Sequence, residues 1–469
     1  MTDPDAPLPF GHLVPKSELD VIAWPAFPPL RGLVLLGLLY QFERSQWWSP
    51  DQLRVQQFRQ LGHLFRHAHT TTRHYRRLFN RIGLDPTKPL DEDTWRSIPL
   101  LQRDTLQRHE LRLRSTHIPQ PHGPTHELIS SGSTGRRVAI QRTDLGHQIW
   151  CAVTLREHAW HGRDLGAKLA IIRHPANANI GNPPDGTPSR GWGPATHNVF
   201  PTGPSTLLSI HTDIATQAAW LLREDPDYLL THPSVLSAIA KHFRDHGERP
   251  RKLRGLRTIS ETLPNETRAL CQEVFGLPIV DAYSCMEAGY IALQCPENPG
   301  YHLQSDTVLT EVLRDDGTPC APGEVGRVVV TPLHNFATIL IRYQLGDYAE
   351  VGEPCPCGRG LPVIRRIAGR VRNLLTLPDG RKVWPRLKTT AYGQVAPVHQ
   401  LQLVQTSLTH IEARFAVDRP VTADEQGRLR EAIHNALGHP FEVSFVWFED
   451  EIPRSPGGKY EDFRSDIAS

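Results

Sequence analysis

Strand and helix signals alternate through the middle of this 469-residue chain, and that rhythm predicts an α/β fold with mixed, largely parallel sheets. Two further observations complete the prediction. From Thr310 the helical signals stop, and short strands separated by Asp315-Asp316-Gly317, Pro322-Gly323 and Asn335 suggest a small antiparallel, barrel-like subdomain. Beyond Gly369-Arg370 the remaining stretch has its own alternating strands and one helix, a small α+β domain. The expected organisation is an N-terminal helical region of the large domain over 1–120, a core with the barrel-like subdomain over 121–369, and a C-terminal domain over 370–469.

Taken in order, Met1 to Asp20 is polar and proline-bearing, so no signal peptide is expected. The most apolar run, Leu30 to Tyr40, falls short of the roughly 20 residues that a membrane span requires. Residues 30 to 115 read as helical: Leu53, Phe58, Leu61, Leu64 and Phe65, then Tyr75 and Phe79, recur mostly at three- and four-residue spacing. His63, His67, His69 and His74 are expected on a solvated helix face. Lys168 to Ile172 is a buried strand, and Asn177 to Pro204, dense in Gly, Pro and Asn, is a long loop. Strands follow at Leu207 to Ile210, Tyr228 to Leu230, Leu256 to Ile259 and Ile279 to Tyr283. The helices between them are Ile214 to Arg223, Pro233 to His246 and a segment ending at Phe275. The later strands are Val312-Leu313, Val328 to Thr331 and Ile339 to Arg342. The last domain has strands at Leu401 to Val404, Glu412 to Val417 and Phe441 to Phe448, with a helix at Asp424 to Leu437.

Composition narrows the function. Apolar content of 39% and a net charge of +2 fit a globular protein that no global field draws to nucleic acid or membrane. Seven sparse cysteines argue against a disulfide framework and for a reducing cytoplasm. Only eight of the 52 basic residues are lysines, so each lysine stands out.

One stretch has the chemistry of a phosphate cradle. In Ile129 to Ile140, the hydroxyls of Ser131, Ser133 and Thr134 alternate with Gly132 and Gly135, and Arg136 follows. Glycines let successive N–H groups turn inward, and the hydroxyls add donors to the same arc. A plain surface turn is the competing reading, and the Walker pattern is absent. Four further motifs follow: Asp281-Ala-Tyr-Ser-Cys-Met-Glu287 at a strand end, Ile341-Arg-Tyr-Gln-Leu-Gly-Asp347 at another, Ile367-Ala-Gly-Arg370, and Ile452-Pro-Arg-Ser-Pro-Gly-Gly-Lys459.

Five motifs in this order resemble the adenylate-forming superfamily of acyl-CoA synthetases, adenylation domains and luciferases. Tyr75-Arg76, Tyr283-Ser-Cys-Met-Glu287 and Cys355-Pro-Cys-Gly-Arg359 resemble its phenylacetate–CoA ligase branch. The resemblance covers the chain from about residue 45 onward. It implies that Ser131 to Arg136 hold the β- and γ-phosphates of ATP, that Tyr283 faces adenine, and that Ser260, Glu261 and Thr262 border the base. It implies Glu287 as the Mg²⁺ ligand, Asp347 as acceptor of both ribose hydroxyls, and Arg370 at ribose or phosphate. Lys459 is the cation that swings in as charge develops on the carboxylate and α-phosphate, carried by a mobile C-terminal lid. As lone residues, Glu287 and Asp347 also read as surface carboxylates and Lys459 as a tail lysine. The chain departs from the pattern at Met286, Arg136 and Arg372, where relatives carry Thr, Lys and Asp.

The implied activity is activation of a carboxylic acid, by family default aryl or arylacetic, as acyl-AMP, with CoA taking the acyl group. Trp192, His197 and Phe200 are expected near the acid. The alternatives are AMP transfer to a hydroxyl, loading of a carrier-protein thiol, and a catalytically silent nucleotide-binding protein. Separately, Cys295, His302, Cys355 and Cys357 make a Cys₃His set suited to structural Zn²⁺, set against four unlinked residues. Cys285 has no basic partner nearby in sequence and is expected to pack.

Overall fold

The computed structural model describes residues 13–129, 138–175, 179–385, 387, 389–455 and 458–467. They form two compact units, Met1–Ala368 and Gly369–Ser469.

The first unit is built on one 12-stranded sheet. Its parallel half runs, in spatial order, Ser205–Ser209, Leu169–Arg173, Tyr228–Thr231, Gly255–Ile259 and Ile279–Cys285. Three of the four crossovers carry a long helix, and the one from Leu169–Arg173 to Ser205–Ser209 is a long loop. The helices Ile214–Glu224, Pro233–His246 and Asn265–Phe275 bury Trp220, Leu236, Ile239 and Phe243 against Leu208, Leu229, Leu256 and Ile279. The other face is covered by Leu30–Ser45 and Asp144–Trp160, whose Leu35, Leu39, Ala152 and Leu155 share a core with Leu169, Ala282 and Leu293.

Gly289–Gln294 folds back antiparallel on Ile279–Cys285 and joins the two halves. The antiparallel half continues through Tyr301–Leu303, Val363–Arg370, Tyr343–Val351, Val325–Pro332 and Val308–Leu313. Helices Pro50–Thr71 and Arg73–Ile82 pack on this half through Phe65, Tyr75 and Phe79. The start of the first is set locally: Pro50 follows Ser49, whose hydroxyl accepts from Gln52 N–H while the Gln52 side chain accepts from Ser49 N–H.

Three expectations need correction. Ile339 to Arg342 is a buried loop, because its backbone groups pair with side chains and with Leu113 and Leu101 backbone instead of along a neighbouring strand. The Tyr75 hydroxyl donates to Ile339 O (3.3 Å) and accepts from Ile341 N–H (2.8 Å), and Arg342 N–H donates to Thr331 Oγ1 (2.9 Å). Arg342 takes a φ of 50°, which breaks the extended path. Asp347 therefore lies inside Tyr343–Val351 and not at a strand end. Second, His67 is half-buried: its Nε2 lies 3.1 Å from both Ser115 Oγ and Phe336 O. Third, the long loop after Leu169–Arg173 holds a short strand, Thr187–Ser189, and one helical turn, Pro194–His197.

The second unit is α+β. Its four-stranded sheet has the order Glu442–Phe448, His410–Val417, Val398–Gln405, Phe463–Ser465, backed by helix Ala423–Leu437. Leu401, Leu403, Phe415, Leu429 and Ile433 form its core.

Candidate active site

The carboxyl ends of the parallel strands, where open α/β sheets bind ligands, bring several of the singled-out residues together. Glu287 sits in the turn between Ile279–Cys285 and Gly289–Gln294, a turn closed by Gly289 at φ 81°. It is only 5% exposed, and its Oε1 lies 3.3 Å from Arg103 Nη1. Arg103 opens helix Arg103–Leu113. Arg142, on strand Ala139–Thr143, donates to Met286 O at 2.7 Å. Burial lowers the pKa of Arg142, while the charge of Glu287 acts the other way. The Glu287 carboxylate is thus set among two arginines that sequence reasoning had not singled out.

Tyr283 and Asp347 are both buried, and the tyrosine hydroxyl donates to Asp347 Oδ2 at 2.7 Å. That bond fixes the carboxylate on its strand. Ser260 follows strand Gly255–Ile259 with φ at 76°, a left-handed backbone at a non-glycine position. Glu261 next to it accepts from Ser234 N–H (3.0 Å) and lies 3.5 Å from His232 Nδ1, at the start of helix Pro233–His246. Glu261 thus ties the loop after Gly255–Ile259 to the start of the neighbouring helix. The proposed phosphate loop, Ser131, Gly132, Ser133, Thr134, Gly135 and Arg136, lies outside the described residues.

A small cavity opens beside Glu287. Ile149, Trp150, Val153, Ala288 and Tyr290 give it apolar and aromatic walls. Trp150 and Tyr290 stack with centroids 5.8 Å apart and planes 14° apart. Trp192, His197 and Phe200 do not line this cavity. Trp192 and Phe200 are packed in the core, Trp192 Nε1 donating to Ala167 O at 2.9 Å, and His197 is exposed. Cys285 is half-buried, and desolvation pushes its thiol far above its ordinary pKa, which fits the packing role.

Arg370 and Lys459 belong to the C-terminal unit. Arg370 N–H donates to Asn373 Oδ1 at 2.8 Å. Lys459 is half-buried, its N–H donating to Ser455 Oγ (3.1 Å) and its carbonyl accepting from Ser455 N–H (3.0 Å). It sits on a built turn and not on a free tail.

A second constellation closes elsewhere in the first unit. Cys295, His302, Cys355 and Cys357 present ligand atoms all within 4.8 Å of one another. Cys295 ends the Gly289–Gln294 strand, His302 lies on its antiparallel partner Tyr301–Leu303, and the two remaining cysteines lie on the loop that follows Tyr343–Val351. Sγ of Cys355 is 3.8 Å from Sγ of Cys295, and Sγ of Cys357 is 3.3 Å from His302 Nε2. A tetrahedral Zn²⁺ with ordinary bond lengths sets these edges at roughly 3.8 Å and 3.5 Å. His302 Nδ1 lies 3.3 Å from Leu361 O, the contact that leaves Nε2 as the ligand atom.

The chain is similar in sequence and fold to known CoA ligases. The chain is 25% identical over 448 residues to a phenylacetate–coenzyme A ligase of Thermus thermophilus, covering 87% of this chain and 95% of the relative. It is 23% identical over 434 residues to the phenylacetate–coenzyme A ligase of Escherichia coli, covering 87% and 94%. Among solved structures, 2-hydroxyisobutyryl-CoA ligase in the postadenylation state matches with a TM-score of 0.69 at 17% identity, over 91% of this chain and 92% of that one. The anthranilate CoA ligase bound to anthranoyl-AMP matches with a TM-score of 0.51 at 17% identity, over 71% and 64%. The fold is that of an adenylate-forming acyl-CoA ligase. No protein-family model matches the chain. The resemblance read from the five motifs is borne out by these relatives over nearly the whole length.

Proposed function

We propose that the chain is an ATP-dependent ligase that activates a carboxylic acid as acyl-AMP and passes the acyl group to CoA. The carrying observation is the buried Glu287 carboxylate beside a small cavity at the end of Ile279–Cys285, with the buried Asp347 bonded to Tyr283 of that same strand, in a fold shared with acyl-CoA ligases. In the first step an oxygen of the acid attacks the α-phosphorus of ATP, the bond to the β-phosphate breaks, and pyrophosphate leaves. In the second, the CoA thiolate attacks the acyl carbonyl and AMP departs with the bonding electrons. Asp347, held by Tyr283, accepts the ribose hydroxyls, since a carboxylate offers acceptors only. Lys459 neutralises the charge on the reacting oxygens and Arg370 contacts ribose or phosphate.

Mg²⁺ fits the donor set. It binds through one or two carboxylates with phosphate and water completing the shell, and Glu287 offers one buried carboxylate. When bound it supplies positive charge for the departing pyrophosphate. Arg103 exchanges its contact with Glu287 for phosphate or stays beside it. The aromatic walls Trp150 and Tyr290 favour an aryl or arylacetic acid, as do the phenylacetate-active relatives. CoA is the acceptor we favour over a carrier-protein thiol or a hydroxyl, on the relatives' activity. The Cys₃His set would hold Zn²⁺ with no open position, so the metal is structural. The described cysteines are all free, which suits a reducing cytoplasm, and no described helix is long and apolar enough to cross a membrane.

A panel of acids assayed for acid-dependent exchange of pyrophosphate into ATP, then for CoA-dependent AMP release, tests the reading. Exchange with aryl acids and thioester formation with CoA are expected. No exchange with any acid would leave a nucleotide-binding protein without this activity.

A further inference from the structure

The segment carrying Lys459 is pinned along one strand of the C-terminal unit. Ile452 N–H donates to Gln400 Oε1 (2.7 Å), the Tyr460 hydroxyl donates to Leu401 O, Gln402 Nε2 donates to Glu461 O (3.0 Å), and Leu403 N–H donates to Asp462 O (2.8 Å). Successive residues of Val398–Gln405 therefore grip the backbone on both sides of the lysine. Glu461, two residues beyond Lys459, turns its side chain elsewhere. Its Oε1 accepts from Arg372 Nε at 2.9 Å and also from Nη2. The side chains of this pair are 18% and 21% exposed, so water screens it only partly.

Arg372 sits in the single 3₁₀ turn Val371–Asn373 near the beginning of the unit. The same turn makes a second tie, Asn373 Nδ2 donating to Phe463 O at 2.6 Å. The first residues of the unit are thus bonded to the segment that flanks Lys459. A planar guanidinium with two N–H groups on one carboxylate oxygen fixes direction as well as distance, which lysine does not.

We propose that Arg372 is a positioning residue that, through Glu461, sets the placement of Lys459 for the adenylation step. The inference rests on the reading of Lys459 as the catalytic cation. A turn that moves with its unit then carries the lysine as one piece with it, and the ammonium arrives without a separate search. Misplacement of a catalytic group by about 1 Å can cost on the order of 100-fold.

The test is a double-mutant cycle on acid-dependent pyrophosphate exchange with full-length Arg372→Ala, Glu461→Gln and the double variant, with Lys459→Ala alongside. The expected result is a kcat loss of roughly 10- to 100-fold in each single variant, little change in KM for ATP or acid, and no further loss in the double. Wild-type rates in the singles, or losses that multiply, would overturn the inference. If Lys459→Ala retains exchange, it is the assignment of the lysine that fails. Glu461→Asp keeps the charge and shortens the reach, so it serves if a single variant does not fold. Its kcat should also fall, and a wild-type rate there would overturn the positioning role.

Discussion

Cys357→Ser is the sharpest single perturbation of the proposed zinc site, because a serine hydroxyl is not a thiolate at neutral pH while its volume is similar. The ligands tie segments that lie 60 residues apart, Cys295 and Cys355. Closing a loop of that length is worth about 4 kcal/mol in the chain-entropy treatment of cross-links, and a metal clip acts by the same logic. Domains of about 200 residues lose roughly 2–4 °C of Tm per kcal/mol, and the unit here, Met1–Ala368, is larger and so less sensitive. The expected fall is roughly 5–10 °C. Elemental analysis of protein purified without added metal should find one zinc per chain, and none in the variant. Calorimetry should show the variant melting with the chelator-treated parent. Both flanks of the site lead into elements of the proposed nucleotide site: the turn at Glu287 precedes Cys295, and Asp347 precedes Cys355. A zinc held by four protein ligands would take no part in chemistry, so kcat of the surviving enzyme at low temperature should stay close to the parent's. Zinc well below one per chain, together with a variant that melts like the parent, would refute the reasoning.

Lys459→Ala should abolish pyrophosphate exchange, a kcat effect of at least about 100-fold, while equilibrium dialysis still shows ATP bound. Glu287→Gln keeps the shape and removes the charge, so turnover should fall at limiting Mg²⁺; normal activity there would put the metal elsewhere. Tyr283→Phe removes the hydroxyl that donates to Asp347 at 2.7 Å. A bond to a charged acceptor is worth about 1.5–3 kcal/mol, so KM for ATP should rise roughly tenfold or more, and an unchanged KM would mean that Asp347 needs no such support. Thr422→Ala deletes the cap that accepts from Glu425 N–H at 3.3 Å, and should cost about 1 kcal/mol in unfolding of the C-terminal unit with pyrophosphate exchange unaltered.

The parts of the fold that the sequence displayed are those whose burial is one-sided or whose strands are short and bounded. Pro233–His246 was legible to the residue, since proline opens it and Gly247 closes it at φ 70°. Asp144–Trp160 was not, because it is covered on almost every side. Its buried residues include Arg156, Glu157 and His158, polar residues that interrupt any one-sided apolar pattern. Ile339 to Ile341 misled for the opposite reason: three apolar residues in a row look like a strand, while the pairing that makes a strand is taken over by the Tyr75 hydroxyl. In the site, Glu287, Asp347 and the Cys₃His set stand in motifs and were visible. Arg103 and Arg142 were not, being single arginines in a chain with 52 basic residues, brought to Glu287 only by the pairing of distant elements.

Those buried charges on Asp144–Trp160 also explain how an aromatic wall of the cavity holds its shape. Burial by itself pushes the Glu157 carboxyl up, but Arg163 and Arg257 outweigh it and hold it well below the usual carboxylate range. Arg163 Nη2 lies 2.6 Å from Glu157 Oε1, and Arg257 Nη2 lies 2.9 Å from Oε2. The same Arg257 nitrogen donates to the Tyr290 hydroxyl at 2.9 Å. The Tyr290 ring, stacked on Trp150, is therefore fixed at its far end by a guanidinium that is itself held by a buried carboxylate. A buried ion pair adds little net stability over an apolar pair, yet losing one partner costs several kcal/mol, so its geometry resists small displacements. On the proposed reading that resistance suits a wall presenting one fixed surface to a small acid, where a single methylene is worth only about 1–3 kcal/mol of discrimination.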